Sequence, residues 1–267
     1  MTILQAIVLG LIQGLTEFLP ISSSAHLSLA PFLFGWRDPG LAFDVALHFG
    51  TLLAVLWFFR KEWIELVRAA WQIIATRRVE SVEQKRVVFL ILATIPGALG
   101  GLLMEEKAET VFRAPLLTAI ALIIMGVILW AVDRFSPEAR PMHKMRWIDA
   151  VLIGLAQVVA LVPGVSRSGS TITAGRMLKF DRQTAAIFSF LMSMPITAAA
   201  IVLKAPDVLE QGDLGMQVVV GVIAAAVSSW LAIAVLLRYV SRHSYGIFAL
   251  YRLLLGIAVL GILWQRA

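Results

Sequence analysis

The stretch Gln13-Gly-Leu-Thr-Glu17-Phe-Leu-Pro20-Ile-Ser22-Ser23-Ser24-Ala-His26 interrupts an apolar segment that fills positions 3–34 of a 267-residue chain. Pro20 ends the helix before it, and Ser22 to Ser24 fall where a second helix would begin. The segment therefore predicts helix, break and helix. In a membrane such a break is tolerated only where it is buried in protein or lines a cavity. Gln13 and Glu17 are spaced i and i+4, so they share one face and aim an amide and a carboxylate at a common point. An ionisable group at that depth costs at least a few kcal/mol, which marks Glu17 as a functional candidate.

Composition places the rest of the chain in the same solvent. Hydrophobic residues make up 60%, charged residues 15%, and mean hydropathy is +0.86. The apolar share and the hydropathy exceed globular usage, the charged share falls below it, and together they read as a bilayer protein. The first basic residue is Arg37, so the basic region of a cleavable signal is missing and the N-terminus reads as mature structure. With no cysteine, disulfides and thiolate chemistry are excluded, and any metal must use oxygen or histidine ligands. The pI of 10.1 and net charge of +6 come from short clusters between apolar runs, the pattern of helix orientation, so nucleic acid is not an expected partner.

Positive-inside counting orders the spans. The connections 60–86, 133–146, 176–182 and 238–242 are rich in Lys and Arg and are assigned to the cytoplasm. The connections 104–113 and 204–216 are mainly acidic, through Glu105, Glu106, Glu109, Asp207, Glu210 and Asp213, and are assigned outside. Six crossings follow, at 43–59, 87–103, 115–132, 184–203, 217–237 and 247–264, with 61–76 as an amphipathic surface helix. The stretches 3–34 and 148–175 remain, and each reads as a re-entrant helix–loop–helix.

Sliding the chain by 144 positions (157 − 13) aligns Gly10 with Gly154, Leu11 with Leu155, Gln13 with Gln157, Ser22 with Ser166 and Ser24 with Ser168. The first stretch enters from outside and the second from inside. The expected fold is thus an all-α polytopic membrane domain over 1–267, an inverted-topology repeat with halves at about 1–135 and 147–267. Its site is expected where the broken helices meet.

The second break reads Pro163-Gly164-Val165-Ser166-Arg167-Ser168-Gly169-Ser170-Thr171. A guanidinium, hydroxyls and glycines that let backbone N–H groups approach an anion suit phosphate. The loop lacks the lysine of a P-loop. The structural alternatives are serines that cap helices and an Arg167 that snorkels to the surface. His26 reads either as a satisfied interior histidine or as a proton-transfer group, and its place three residues after Ser23 favours the second. Asp44 and His48, four apart near the outer end of the 43–59 span, either stand behind the site or lie at the interface, the second being the simpler reading, and Arg252, next to Tyr251, reads as a snorkelling residue at the cytoplasmic end of the last span.

At these two loops the sequence resembles the bacitracin-resistance type of undecaprenyl-diphosphate phosphatases, end to end in length and segment order. The resemblance implies a multi-pass inner-membrane enzyme that recycles the lipid carrier of bacterial cell-wall synthesis, has a divalent-cation requirement, and whose site faces the periplasm or exterior. It also implies that Glu17, Ser23, His26 and Arg167 are central. Gln13 stands where many members have Glu, and Ala25 where many have Gly.

The expected reaction is hydrolysis of a polyprenyl diphosphate, with Mg²⁺ or Ca²⁺ between its oxygens and Glu17, and Gln13 as a second ligand. Gln13, Ser22, Ser24, Gly164, Ser166, Ser168, Gly169 and Thr171 are the expected substrate-binding positions, with Arg167 on the terminal phosphate. Ser23 is the candidate nucleophile, with His26 or Glu17 taking its proton, and direct attack by water stays open. Membrane lipids are the surrounding partners, and a homo-oligomer is compatible with the sequence. The rival is a lipid or small-anion transporter using the same repeat.

Overall fold

The computed structural model describes residues 1–109, 114–136, 140–210 and 215–266. Parts of both acidic connections, 110–113 and 211–214, and 137–139 of the basic connection 133–146 lie outside the described residues. Eleven α-helices and no strands are present among the described residues.

The first broken segment is α1 (Ile3–Phe18) and α2 (Ser23–Phe34). Reciprocal hydrogen bonds between Thr2 and Gln5 start α1. Leu19, the residue before Pro20, is extended at ψ 138°, as proline demands of its predecessor, and the helix stops there. The second broken segment is α7 (Trp147–Val159) and α8 (Arg167–Met177), separated at Pro163.

The spans are α3 (Leu41–Phe58), α5 (Val82–Glu109), α6 (Pro115–Phe135), α9 (Arg182–Glu210), α10 (Met216–Val240) and α11 (Gly246–Arg266). Five are long and apolar enough to cross a bilayer, and α3 makes a sixth with α4 (Arg60–Thr76), bent 82° away from it. The outer faces of the spans carry exposed Leu99, Ile124, Val227 and Leu254. In water that surface would be a liability, whereas hydrocarbon solvates it. The amphipathic α4 buries only Leu66 and Ala69, in keeping with a surface helix.

Broken segment, span, span and span follow one another twice, with α4 added in the first half. The packing is crossed, because α1 lies along α10 and α7 lies along α5. Small residues permit this. A Cβ on Gly10 would strike the Gly221 carbonyl, and one on Gly154 would sit 2.9 Å from Ala93 Cα. Both breaks are thereby held in the interior between α3 and α9, which also pack on each other.

On the side of the Lys/Arg-rich connections a buried polar network ties four helices. Asp133 accepts from Arg176 Nε and Arg182 Nε, each at 2.9 Å, and from the Tyr245 N–H at 2.9 Å. Burial and the Asp133 carboxylate push the Tyr245 phenol up, so it remains a neutral donor to the Arg182 carbonyl.

Candidate active site

The two breaks have the same local structure. Ser22 and Ser166 take positive φ, 75° and 73°, and their hydroxyls accept from the N–H groups of Ala25 and Gly169. Each lies 3.2 Å from the serine two positions on, Ser24 and Ser168 respectively. The result is two helix N-termini, α2 and α8, whose first residues line one cavity, each an anion site by its N–H groups.

Three sets of bonds lock the breaks together. The Gly164 N–H donates to Ser22 Oγ at 3.1 Å, and Ser168 Oγ donates to the Leu19 carbonyl at 3.1 Å. Arg167 pairs directly with Glu17. The third set comes from Arg252, which is fully buried. Its guanidinium donates to the carbonyls of Pro20 at 3.2 Å, Gly164 at 2.6 Å, Val165 at 2.9 Å and Leu122 at 3.3 Å. The snorkelling assignment is therefore corrected: Arg252 points inward and clamps both breaks.

Between the breaks lies a cavity of about 290 Å³. Its polar wall is Glu17, Ser22, Ser23, Ser24, His48, Ser166, Arg167 and Gln157, and its apolar wall includes Val45, Leu161, Ile196, Ala200 and Ile201. Glu17 Oε2 accepts from Ser23 Oγ at 2.6 Å and from Gln13 Nε2 at 3.1 Å, and His48 Nε2 lies 3.7 Å away. His48 is thus a cavity residue, and its reading as interfacial is also corrected. Arg167 Nη1 is buried without a partner in the structure, a donor poised for an anion.

Other expected site residues face elsewhere. His26 is engaged at both ring nitrogens, Nδ1 with the Ser22 carbonyl and Nε2 with Tyr251 Oη, each at 2.7 Å, and neither reaches Ser23. Thr171 Oγ1 donates to the Arg167 carbonyl at 2.8 Å and meets Ser189 Oγ at 2.7 Å, tying α8 to α9. Gly164, Ser168 and Gly169 hold the second break in shape. Gly169 leaves room for Arg252, whose Nη1 would lie 2.7 Å from a Cβ there.

Among the described residues no three His, Cys, Asp or Glu groups gather to hold a metal. Glu17 is the carboxylate of the cavity, and Gln13 Oε1 is a buried oxygen with no hydrogen-bond partner. One carboxylate and one amide oxygen fit a hard cation that takes its remaining ligands from water and substrate phosphate.

A polytopic membrane protein in which a guanidinium, a carboxylate and serines converge at the meeting of two broken helices belongs to the class that handles an anionic head group within the bilayer. The chain is a member of the bacitracin resistance protein BacA family, whose family model matches residues 6–258. It is 62% identical over 266 residues, the full length of both chains, to a protein of Gemmatimonas aurantiaca named undecaprenyl-diphosphatase. Proteins of the same name from Pelotomaculum thermopropionicum and Moorella thermoacetica are 50% and 48% identical, the first over 97% of this chain and 96% of its own, the second over the whole of both.

Proposed function

We propose that this protein hydrolyses undecaprenyl diphosphate to the monophosphate and inorganic phosphate, with the diphosphate held between the two breaks. One observation carries the reading: Glu17 binds Ser23 of the first break and Arg167 of the second, the first residues of α2 and α8. The name shared by the relatives supports it. The transporter reading draws on architecture alone, which many functions share.

Arg167 would turn from Glu17 to the terminal phosphate, adding its free Nη1, while the α2 and α8 N–H groups neutralise phosphoryl oxygens. Release of that pairing leaves Glu17 able to take the Ser23 proton. Ser23 Oγ then attacks the terminal phosphorus, and the bond to the bridging oxygen breaks, with the lipid monophosphate leaving. Water then attacks the phosphoserine phosphorus, the Ser23 Oγ–P bond breaks as Glu17 gives its proton back to Oγ, and the phosphate leaves carrying the protons of the water. Glu17 takes precedence over His26 as base because Ser23 already donates to it. A divalent cation held by Glu17 and Gln13 would supply further charge neutralisation at the phosphate oxygens.

The cavity lies along α3 at Val45 and His48, along α5 at Gly97 and along α9 at Thr197 and Ile201. Those positions are towards the ends of the spans farthest from the Lys/Arg clusters, which supports an opening to the exterior. Phosphate release from a long-chain polyprenyl diphosphate by purified protein in detergent with Mg²⁺ tests the proposal. Release by the wild type that collapses in Glu17→Ala and Arg167→Ala is the expected result. A folded wild type that releases none would overturn it.

A further inference from the structure

Gln157 is 5% exposed, lines the cavity, and has no hydrogen-bond partner at either its Nε2 or its Oε1. A buried amide in that state has forfeited its water without replacement, and such a group is kept where a ligand completes it. Its counterpart Gln13 shows what is missing. Gln13 donates to Glu17, four residues on. The residue four after Gln157 is Leu161, so the second helix has an apolar group where the first has the acid. The repeat thus presents one amide whose N–H group is paired within its own helix and one, lining the cavity, with neither end paired.

The neighbours of Gln157 fix what it can meet. Gly97 of α5 makes room for the carboxamide: a Cβ there would strike Gln157 Nε2 and come 2.9 Å from its Cδ, and with neither end bonded a half-turn of the amide presents its N–H to the cavity. Leu161 and Ala160 follow it on the cavity wall, with Ile196 and Ile201 also on the apolar lining. Gln157 therefore stands where the lining changes from the polar groups of the breaks to the apolar surface that suits a prenyl chain.

On the reading above, a lipid diphosphate with its terminal phosphate at Arg167 and Ser23 and its chain on the apolar wall has its chain-proximal phosphate between the two. We propose that Gln157 recognises that proximal phosphate, donating an amide N–H to a non-bridging oxygen. It holds the group that stays with the lipid after cleavage, so it contacts substrate and product alike.

The test uses full-length protein in detergent with Gln157→Leu and Gln157→Glu. Two quantities are read: KM and kcat for phosphate release from polyprenyl diphosphate, and direct binding of the polyprenyl monophosphate followed by tryptophan fluorescence. The monophosphate keeps only the proximal phosphate, so its binding reports on Gln157 whether or not the protein proves hydrolytic. Loss of a hydrogen bond to a charged oxygen predicts KM raised about tenfold or more in Gln157→Leu, with monophosphate affinity lowered by the same factor and kcat within about threefold. Gln157→Glu, which sets a carboxylate against phosphate, is expected to be worse than Leu despite its closer shape. Monophosphate affinity unchanged within about twofold in a Gln157→Leu protein with wild-type thermal unfolding would overturn the proposal, as would Glu matching the wild type.

Discussion

Ser22 and Ser166 share one backbone conformation, φ 75° and 73°, at equivalent points of two breaks 144 residues apart. A non-glycine residue takes this region only at a cost, which the surrounding bonds must offset. For Ser22 the hydroxyl does so, capping α2 and receiving the Gly164 N–H. Ser22→Ala keeps the strain and loses both bonds, so thermal unfolding in detergent should show a loss of about 1–3 kcal/mol. Ser22→Gly loses the same bonds but relieves the backbone, so it should unfold at a higher temperature than Ser22→Ala. The reverse order would mean that the strain is not carried by φ.

Arg252 is the residue on which both breaks depend. Lysine keeps the charge but cannot fork to the carbonyls of Pro20, Gly164, Val165 and Leu122. Arg252→Lys should leave at least two carbonyls unsatisfied, at about 1–3 kcal/mol each. Phosphate release should fall about a hundredfold, because the Glu17–Arg167 geometry depends on the register of the breaks. Full activity in Arg252→Lys would show that the other bonds between the breaks suffice.

The Asp133 network makes a contrasting prediction. It joins the ends of spans remote from the cavity, and Asp133 and Arg176 are both buried. Asp133→Ala strands the Arg176 charge, which should cost about 3–5 kcal/mol of stability. Activity per folded molecule should stay within about threefold of wild type at low temperature. Thermal unfolding and turnover measured on the same sample separate the two effects, and lost turnover with intact unfolding would count against a purely structural role.

The spans and both breaks were legible in the sequence because each is set by a local pattern: apolar length, Pro20 and Pro163, serines at the caps, and basic clusters between. The repeat placed the site where the two breaks meet, and the direct pairing of Glu17 with Arg167 came from the structure. Residues on other helices were not legible in the same way. Arg252 is six residues into α11, close enough to its end that periodicity cannot tell an inward guanidinium from a snorkelling one. Its signal was the glycine at 169, which only the packed structure shows to be making room for it. His48 joins the cavity because α3 packs beside α1, a contact that no local spacing encodes.

His26 offers the sharpest division between a chemical and a positioning role. The Ser22 carbonyl can only accept, so Nδ1 carries the proton and the neutral ring accepts from Tyr251 at Nε2. A ring held in this way fixes the carbonyl of the strained Ser22 and supports the first break through Tyr251. On that account Tyr251→Phe should lower phosphate release about two- to tenfold, and Tyr251→Phe combined with His26→Ala should be no worse than His26→Ala alone, since both remove one linkage. Turnover of the two single variants, the double variant and wild type completes the cycle. If Tyr251→Phe is fully active while His26→Ala is dead, the histidine acts independently of the tyrosine, and a direct part in moving the Ser23 proton becomes the better account.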